Sequence, residues 1–146
     1  MHEISKFSLE VAESRRLVLD GRPIDASVEG AILDAQLELD DGRARVWLTD
    51  DSPYDEGLHV YLLDREGAVL DAVEAGHDFT PGLLKIEILG TNWVDFSFFN
   101  NGERYRLGVS DRVRVRGPLP TGWRYKQRLR RHHLDVSHAK EEEPDG

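Results

Sequence analysis

The chain predicts an all-β fold: an antiparallel β-sandwich, or flattened barrel, of about ten short strands with one C-terminal helix and a disordered tail. Three observations carry that expectation. Apolar and polar residues alternate with a period of two through most of residues 6–116, as they do in strands half-buried against a core. Turn-forming residues divide the alternating runs at short intervals, and helical spacing occurs only once, after residue 122. Several runs are apolar on both faces, which favours a sandwich over a barrel.

In chain order, Lys6–Ala12 opens the domain with Phe7, Leu9 and Val11 on one side. Asp20-Gly21, flanked by Arg16–Leu19 and Ile24, suits the positive φ of a tight hairpin turn, and Pro23 confines the return strand to a short or edge position. Ala31–Leu39 and Ala44–Thr49 form a second hairpin about Asp40-Asp41-Gly42-Arg43. Leu58–Asp64 and Ala68–Glu74 form a third about Arg65-Glu66-Gly67, with glycine at the left-handed position. Residues 83–116 read as a four-stranded meander. Ile86, Ile88, Val94, Phe96, Phe98, Tyr105, Leu107, Val109, Val113 and Val115 share one face. Lys85, Glu87, Asp95, Arg104, Arg106, Arg112, Arg114 and Arg116 share the other. Pro118 and Pro120 end the sheet. Trp123–His138 reads as a helix, since Tyr125, Leu129, His132 and Val136 fall on one side of a helical wheel. The expected organisation is a β domain over 1–117, a linker with a basic helix over 118–138, and a disordered acidic tail over 139–146.

At 146 residues the chain can bury a core without staples. It has no cysteine, so disulfides, thiolate metal sites and a cysteine nucleophile are excluded. The first residues lack the pattern of a secretory signal, and no stretch matches a membrane-spanning helix, so a cytoplasmic protein is expected. The net charge of -9 is unevenly spread: residues 1–103 hold 8 Lys/Arg against 22 Asp/Glu, whereas residues 104–133 hold 10 Lys/Arg against Asp111 alone. Either the basic segment takes an anionic partner or it neutralises the acidic body of its own chain.

Three sets of residues are candidate sites. Asp40 and Asp41 in one turn and Asp50, Asp51, Asp55 and Glu56 in one loop offer acidic hooks for a basic protein; their spacing matches no calcium loop, and no metal is expected. Trp47, His59, Tyr61, Trp93 and Phe99 fall on second faces of their strands and offer an aromatic platform for a sugar, a base or another small molecule, or else mark burial on both sides. Arg114, Arg116, Arg124, Lys126, Arg128, Arg130 and Arg131, interleaved with Trp123 and Tyr125, offer a nucleic-acid surface. Against that, Arg104, Arg106, Arg112, Arg114 and Arg116 are strand positions with Glu87, Asp95 and Glu103 as prospective cross-strand partners.

His132, His133 and His138 include no pair at metal-binding helical spacing, and His77-Asp78 stands without a nucleophile motif. No nucleophile elbow or phosphate-cradling glycine loop occurs, so no cofactor and no catalysis is expected. Charge and the missing fingerprint favour a non-catalytic interaction protein, of the inhibitor or immunity-protein kind, that binds a basic protein through acidic loops. Small-molecule or carbohydrate binding on the aromatic face and nucleic-acid binding by the basic segment are the alternatives, and homodimerisation is compatible with all three.

Overall fold

The computed structural model describes residues 2–11, 15–50, 57–76, 82–99, 103–115, 119–126 and 131–139. Every regular element among them is a strand: β1 (His2–Glu3), β2 (Phe7–Val11), β3 (Arg15–Leu19), β4 (Arg22–Ser27), β5 (Ile32–Glu38), β6 (Ala44–Thr49), β7 (Gly57–Leu63), β8 (Val69–Gly76), β9 (Gly82–Leu89), β10 (Trp93–Phe99), β11 (Tyr105–Val115), β12 (Trp123–Tyr125) and β13 (Arg131–His138). They form three antiparallel sheets, in the orders β1-β5-β6-β7-β8-β12, β13-β11-β10-β9 and β2-β3-β4. Among the described residues no helix is long and apolar enough to cross a membrane.

The six-stranded sheet lies between the other two. In the β6–β7 ladder Trp47 faces Val60, and Val46 faces Tyr61. Trp47, Leu58, Val60 and Leu62 join a core with Val94, Phe96, Tyr105 and Leu107 of the four-stranded sheet. Val46, Leu48, Tyr61 and Leu63 join a second core with Phe7, Leu17 and Val28 beneath the three-stranded sheet. All of β6 and β7 is therefore buried, which explains why those strands are apolar on both faces.

The turns follow the local sequence. Asp20 (φ 49°) and Gly21 (φ 81°) both take the left-handed conformation that a two-residue hairpin requires. Pro23 lies on β4, an edge strand, where its missing N–H costs no ladder bond. Asp64 Oδ1 accepts from Glu66 N and Ala68 N and closes the β7–β8 turn.

The C-terminal segment corrects the helix expected over 123–138. Its described residues are strands that complete the two larger sheets: β12 pairs with β8, and β13 pairs with β11. The decisive pattern is Leu134-Asp135-Val136-Ser137, in which Leu134 and Val136 are buried while Asp135 and Ser137 are exposed. Trp123 packs edge-on against Tyr105 and Phe96, at centroid distances of 5.4 and 5.8 Å. Ala139 also continues the sheet, its N–H bonding Arg104 O at 2.9 Å; the rest of the expected tail lies outside the described residues.

The meander is corrected in the same way. Residues 105–109 and 113–115 belong to one strand, β11, with an irregularity between Val109 and Arg114 instead of a turn, and β13 takes the fourth place in the sheet. A bulge in β9, where Ile86 and Ile88 oppose the consecutive residues Phe96 and Asp95, leaves Ile86 inward and Ile88 on the outer face, 40% exposed. The outer-face ion pairs follow the expected neighbours: Arg106 grips Asp95 through Nε and Nη2 at 2.7 and 3.0 Å, and Arg104 Nε lies 2.5 Å from Glu87.

Two buried charges tie the large sheets together. Arg45 Nη1 donates to Leu107 O at 3.0 Å, and burial, with Arg43 nearby, pulls its guanidinium down to about 9, still charged at neutral pH. Asp71 Oδ2 accepts from His133 N and Leu134 N, both at 2.9 Å, beside the break in the β11–β13 ladder. Trp47 is fully enclosed between these sheets. Trp47→Ala is expected to cost about 3–5 kcal/mol in denaturant unfolding; a loss below about 1 kcal/mol would mean that the indole is not the core residue described.

Candidate functional site

Cross-strand register assembles a group of charges on the face of the six-stranded sheet that turns toward β2–β4. His59 of β7 is paired with Glu74 of β8, and Glu74 with Arg124 of β12, so the three stand in a row. Asp50, just past β6, is held beside β7 by its N–H bond to Gly57 O at 3.1 Å. Lys126, just past β12, is held by its own N–H bond to Ala72 O at 2.9 Å. The chain between β4 and β5 brings in Glu29, whose N–H donates to the Tyr61 hydroxyl at 2.9 Å. Gly30 (φ 115°) permits that approach: a Cβ there would stand 2.6 Å from Leu48 Cβ.

Within the group, His59 Nε2 lies 3.0 Å from Asp50 Oδ1, and His59 Nδ1 lies 3.4 Å from Glu74 Oε2. Lys126 Nζ is 2.9 Å from Glu74 Oε2 and 3.3 Å from Glu29 Oε1, and Arg124 Nε donates to the other oxygen of Glu74. His59, Glu74 and Lys126 are largely withdrawn from solvent, whereas the Glu29 side chain is 72% exposed at the rim. Burial disfavours the charge on Glu74, but hydrogen bonds and attraction from Lys126 and Arg124 outweigh it and hold the carboxyl below its ordinary value. Burial also opposes the charge on Lys126, yet Glu74, Tyr61 and Glu29 together raise it above its ordinary value. Burial pushes the Tyr61 hydroxyl up.

Ligand atoms of Glu29, His59 and Glu74 lie within 4.8 Å of one another, a donor set that suits a divalent ion. The Lys126 ammonium already sits against two of the three, so an entering ion would have to displace it. Within the group three carboxylates face one histidine, one lysine and one arginine.

The acidic candidates do not form one surface. Asp40 and Asp41 occupy the turn before β6, while Asp50 follows its other end, about 20 Å away along the strand. Asp41 is taken up by its own surroundings, since Arg43 Nε bonds Oδ2 at 2.8 Å and Arg65 Nε bonds its carbonyl at 2.6 Å. Burial opposes its charge, but the bonds from Arg43 prevail and lower its pKa. Asp51, Asp55 and Glu56 lie outside the described residues.

The aromatic set is dispersed. Trp47 and Tyr61 are buried on opposite faces of one sheet, with His59 on the Tyr61 side. Trp93 is on the outside of the four-stranded sheet, and the Arg106 guanidinium lies over its ring at 3.9 Å. Phe99 belongs to β10, but its side chain is outside the description. Of the basic set, Arg124 and Lys126 enter the charge group. Arg114 and Arg131 lie in strands with side chains outside the description, and Arg116, Arg128 and Arg130 lie outside the described residues.

Glu29 and Glu74 had no place among the sequence candidates. For Glu74 a signal existed: a carboxylate within the apolar run Ala72-Val73-Glu74-Ala75 requires a partner if the strand is buried. Against known proteins, no family, no curated sequence and no solved structure matches this chain.

Lys126→Met strips the withdrawn Glu74 of its main counter-charge and is expected to cost about 3–5 kcal/mol, much of it recovered in the Glu74→Gln/Lys126→Met double variant. Equal stability of the single variant and the wild type would refute the pairing. Glu74 has a depressed pKa, so its contribution is complete above its ordinary value of 4.5 and is lost as pH falls through the native value. Lys126 has a raised pKa, so its contribution is complete below 10.5 and is lost as pH rises through the native value. The stability difference between the wild type and the double variant, followed by urea unfolding, is therefore expected to shrink as pH falls below 4.5 and as it rises above 10.5.

Proposed function

We propose that the chain is a non-catalytic interaction protein that receives a basic protein partner at the end of the molecule where β5 begins and β6 finishes. The observation carrying this reading is the set of carboxylates gathered at this end. Asp34, Glu29 and Asp50 all lie at this end: Ile32 is paired with Thr49, Thr49 Oγ1 donates to Asp34 Oδ2 at 2.7 Å, and Glu29 projects from the adjoining connection. The loop that leaves Asp50 adds Asp51, Asp55 and Glu56 in sequence. The other end is acidic as well, with Asp40, Asp41, Asp64 and Glu66, but there Arg43 and Arg65 engage Asp41 within the chain.

An acidic end, its strands fixed by the ladder, speeds and orients encounter with a cationic surface without requiring any chemistry. The charge group behind it is compatible with the same role, because Lys126 and Arg124 are held by Glu74 and Glu29 and do not present their charge to a partner. That same engagement counts against nucleic acid, and the dispersal of Trp47, Tyr61 and Trp93 counts against an aromatic platform.

The test is cross-linking capture from the native lysate with the wild type and with Glu29→Gln/Asp34→Asn, two exposed and nearly isosteric changes. Recovery of a basic protein that falls about tenfold in the variant, and likewise in high salt, is expected. Equal recovery by both proteins, or no recovered partner, would overturn the reading.

A further inference from the structure

The edge of the four-stranded sheet carries an inference separate from the acidic end. Among the described residues no strand lies outside β9, so one row of its backbone N–H and C=O groups is open to a further strand. Ile88 and Leu89 are each 40% exposed there, and Leu84 and Ile86 are only partly covered. An open groove of about 500 Å³ runs beside Leu84 and Ile86 toward Leu33 and Ala35 of β5.

The sequence of this edge is complementary to itself. Read outward from Ile86, Leu84-Lys85-Ile86-Glu87-Ile88-Leu89 places a cation on one side and an anion on the other, each followed by apolar residues. We propose that β9 pairs antiparallel with β9 of a second copy of this chain, about a two-fold axis at Ile86, and joins two four-stranded sheets into one of eight strands.

In that register Lys85 stands opposite Glu87 of the second copy, and symmetry supplies the pair twice. The bulge fixes the remainder. Lys85 and Glu87 both belong to the outer face, and the extra residue Ile88 is absorbed there under the aliphatic stem of Lys85 from the second copy. Leu84 then meets Leu89 across the axis on the inner side. A strand of unrelated sequence would satisfy the backbone but not the Lys85–Glu87 exchange, and it is this complementarity that selects a second copy.

Light scattering and sedimentation of the full chain up to about 100 µM test the proposal. A dimer is expected for the wild type. Lys85→Glu, an exposed change that leaves the dichroism spectrum unaltered, is expected to weaken it about tenfold by setting like charges opposite each other, and Lys85→Glu/Glu87→Lys/Arg104→Glu, which also reverses the Arg104–Glu87 pair within each chain, is expected to restore it. Because the chain has no cysteine, Ile86→Cys supplies a single thiol at the axis. Facing residues of an antiparallel pair lie about 4.5–5.5 Å apart at Cα, within disulfide reach, so mild oxidation is expected to give a covalent dimer, whereas Lys6→Cys at an exposed site elsewhere gives none. A monomer at the highest concentration would overturn the proposal and leave the edge to a strand of another protein. Dimerisation indifferent to Lys85→Glu, or failure of the charge exchange to restore it, would overturn it equally.

Discussion

A sheet covered on both faces governs the rest of this molecule. Strands β6 and β7 have no solvated side, so alternate residues must serve two different cores, and any charge in the layer must find a partner within the protein. Arg45 reaches a backbone carbonyl of the neighbouring sheet, Asp71 gathers two N–H groups from β13, and His59 stands between Asp50 and Glu74. These groups add little stability beyond well-packed apolar residues of the same shape, because removing each charge from water offsets much of what its partner returns. Their larger effect is specificity: Arg45 and Asp71 are satisfied only when the two large sheets stack in one relative position.

The same constraint organises charge at the surface. Acidic residues dominate the first two thirds of the chain and basic residues the next segment, and folding brings the two into register. Arg124 and Lys126 meet Glu74, Arg104 meets Glu87, and Arg106 meets Asp95. The basic segment is thus spent in part on the chain's own carboxylates. Other carboxylates stand at the strand ends, where Glu29, Asp34 and Asp50 meet Lys126, Thr49 and His59.

Much of the strand layout was legible because its signals are local. Asp20-Gly21 and Asp40–Arg43 each specify a turn from adjacent residues, and the alternation through Val94–Val109 specifies which side of the sheet is wet. The ion pairs of Arg104 and Arg106 follow from that alternation. Strand β13 was not legible: its period-two signal is only Leu134 and Val136, and Tyr125, Leu129, His132 and Val136 offer a competing helical spacing that only the distant β11 ladder decides against. Two apolar faces on β6 and β7 announced burial on both sides without saying that the hairpins of residues 7–27 provide the second cover. The charge group was out of reach for a similar reason, since Glu29, His59, Glu74 and Lys126 converge through register and not through spacing.

The last described strands have a consequence for the order in which the protein can be made. Strand β12 closes one side of the six-stranded sheet, and β13 closes one side of the four-stranded sheet and supplies Leu134 and Val136 to the main core. Both are synthesised after nearly everything they cover, and the pairing of β8 with β12 spans about fifty residues. A nascent chain emerging from the ribosome therefore carries an incomplete, greasy sandwich until residue 136 is clear of the exit tunnel. Such long-range closure slows folding and prolongs exposure of sheet edges.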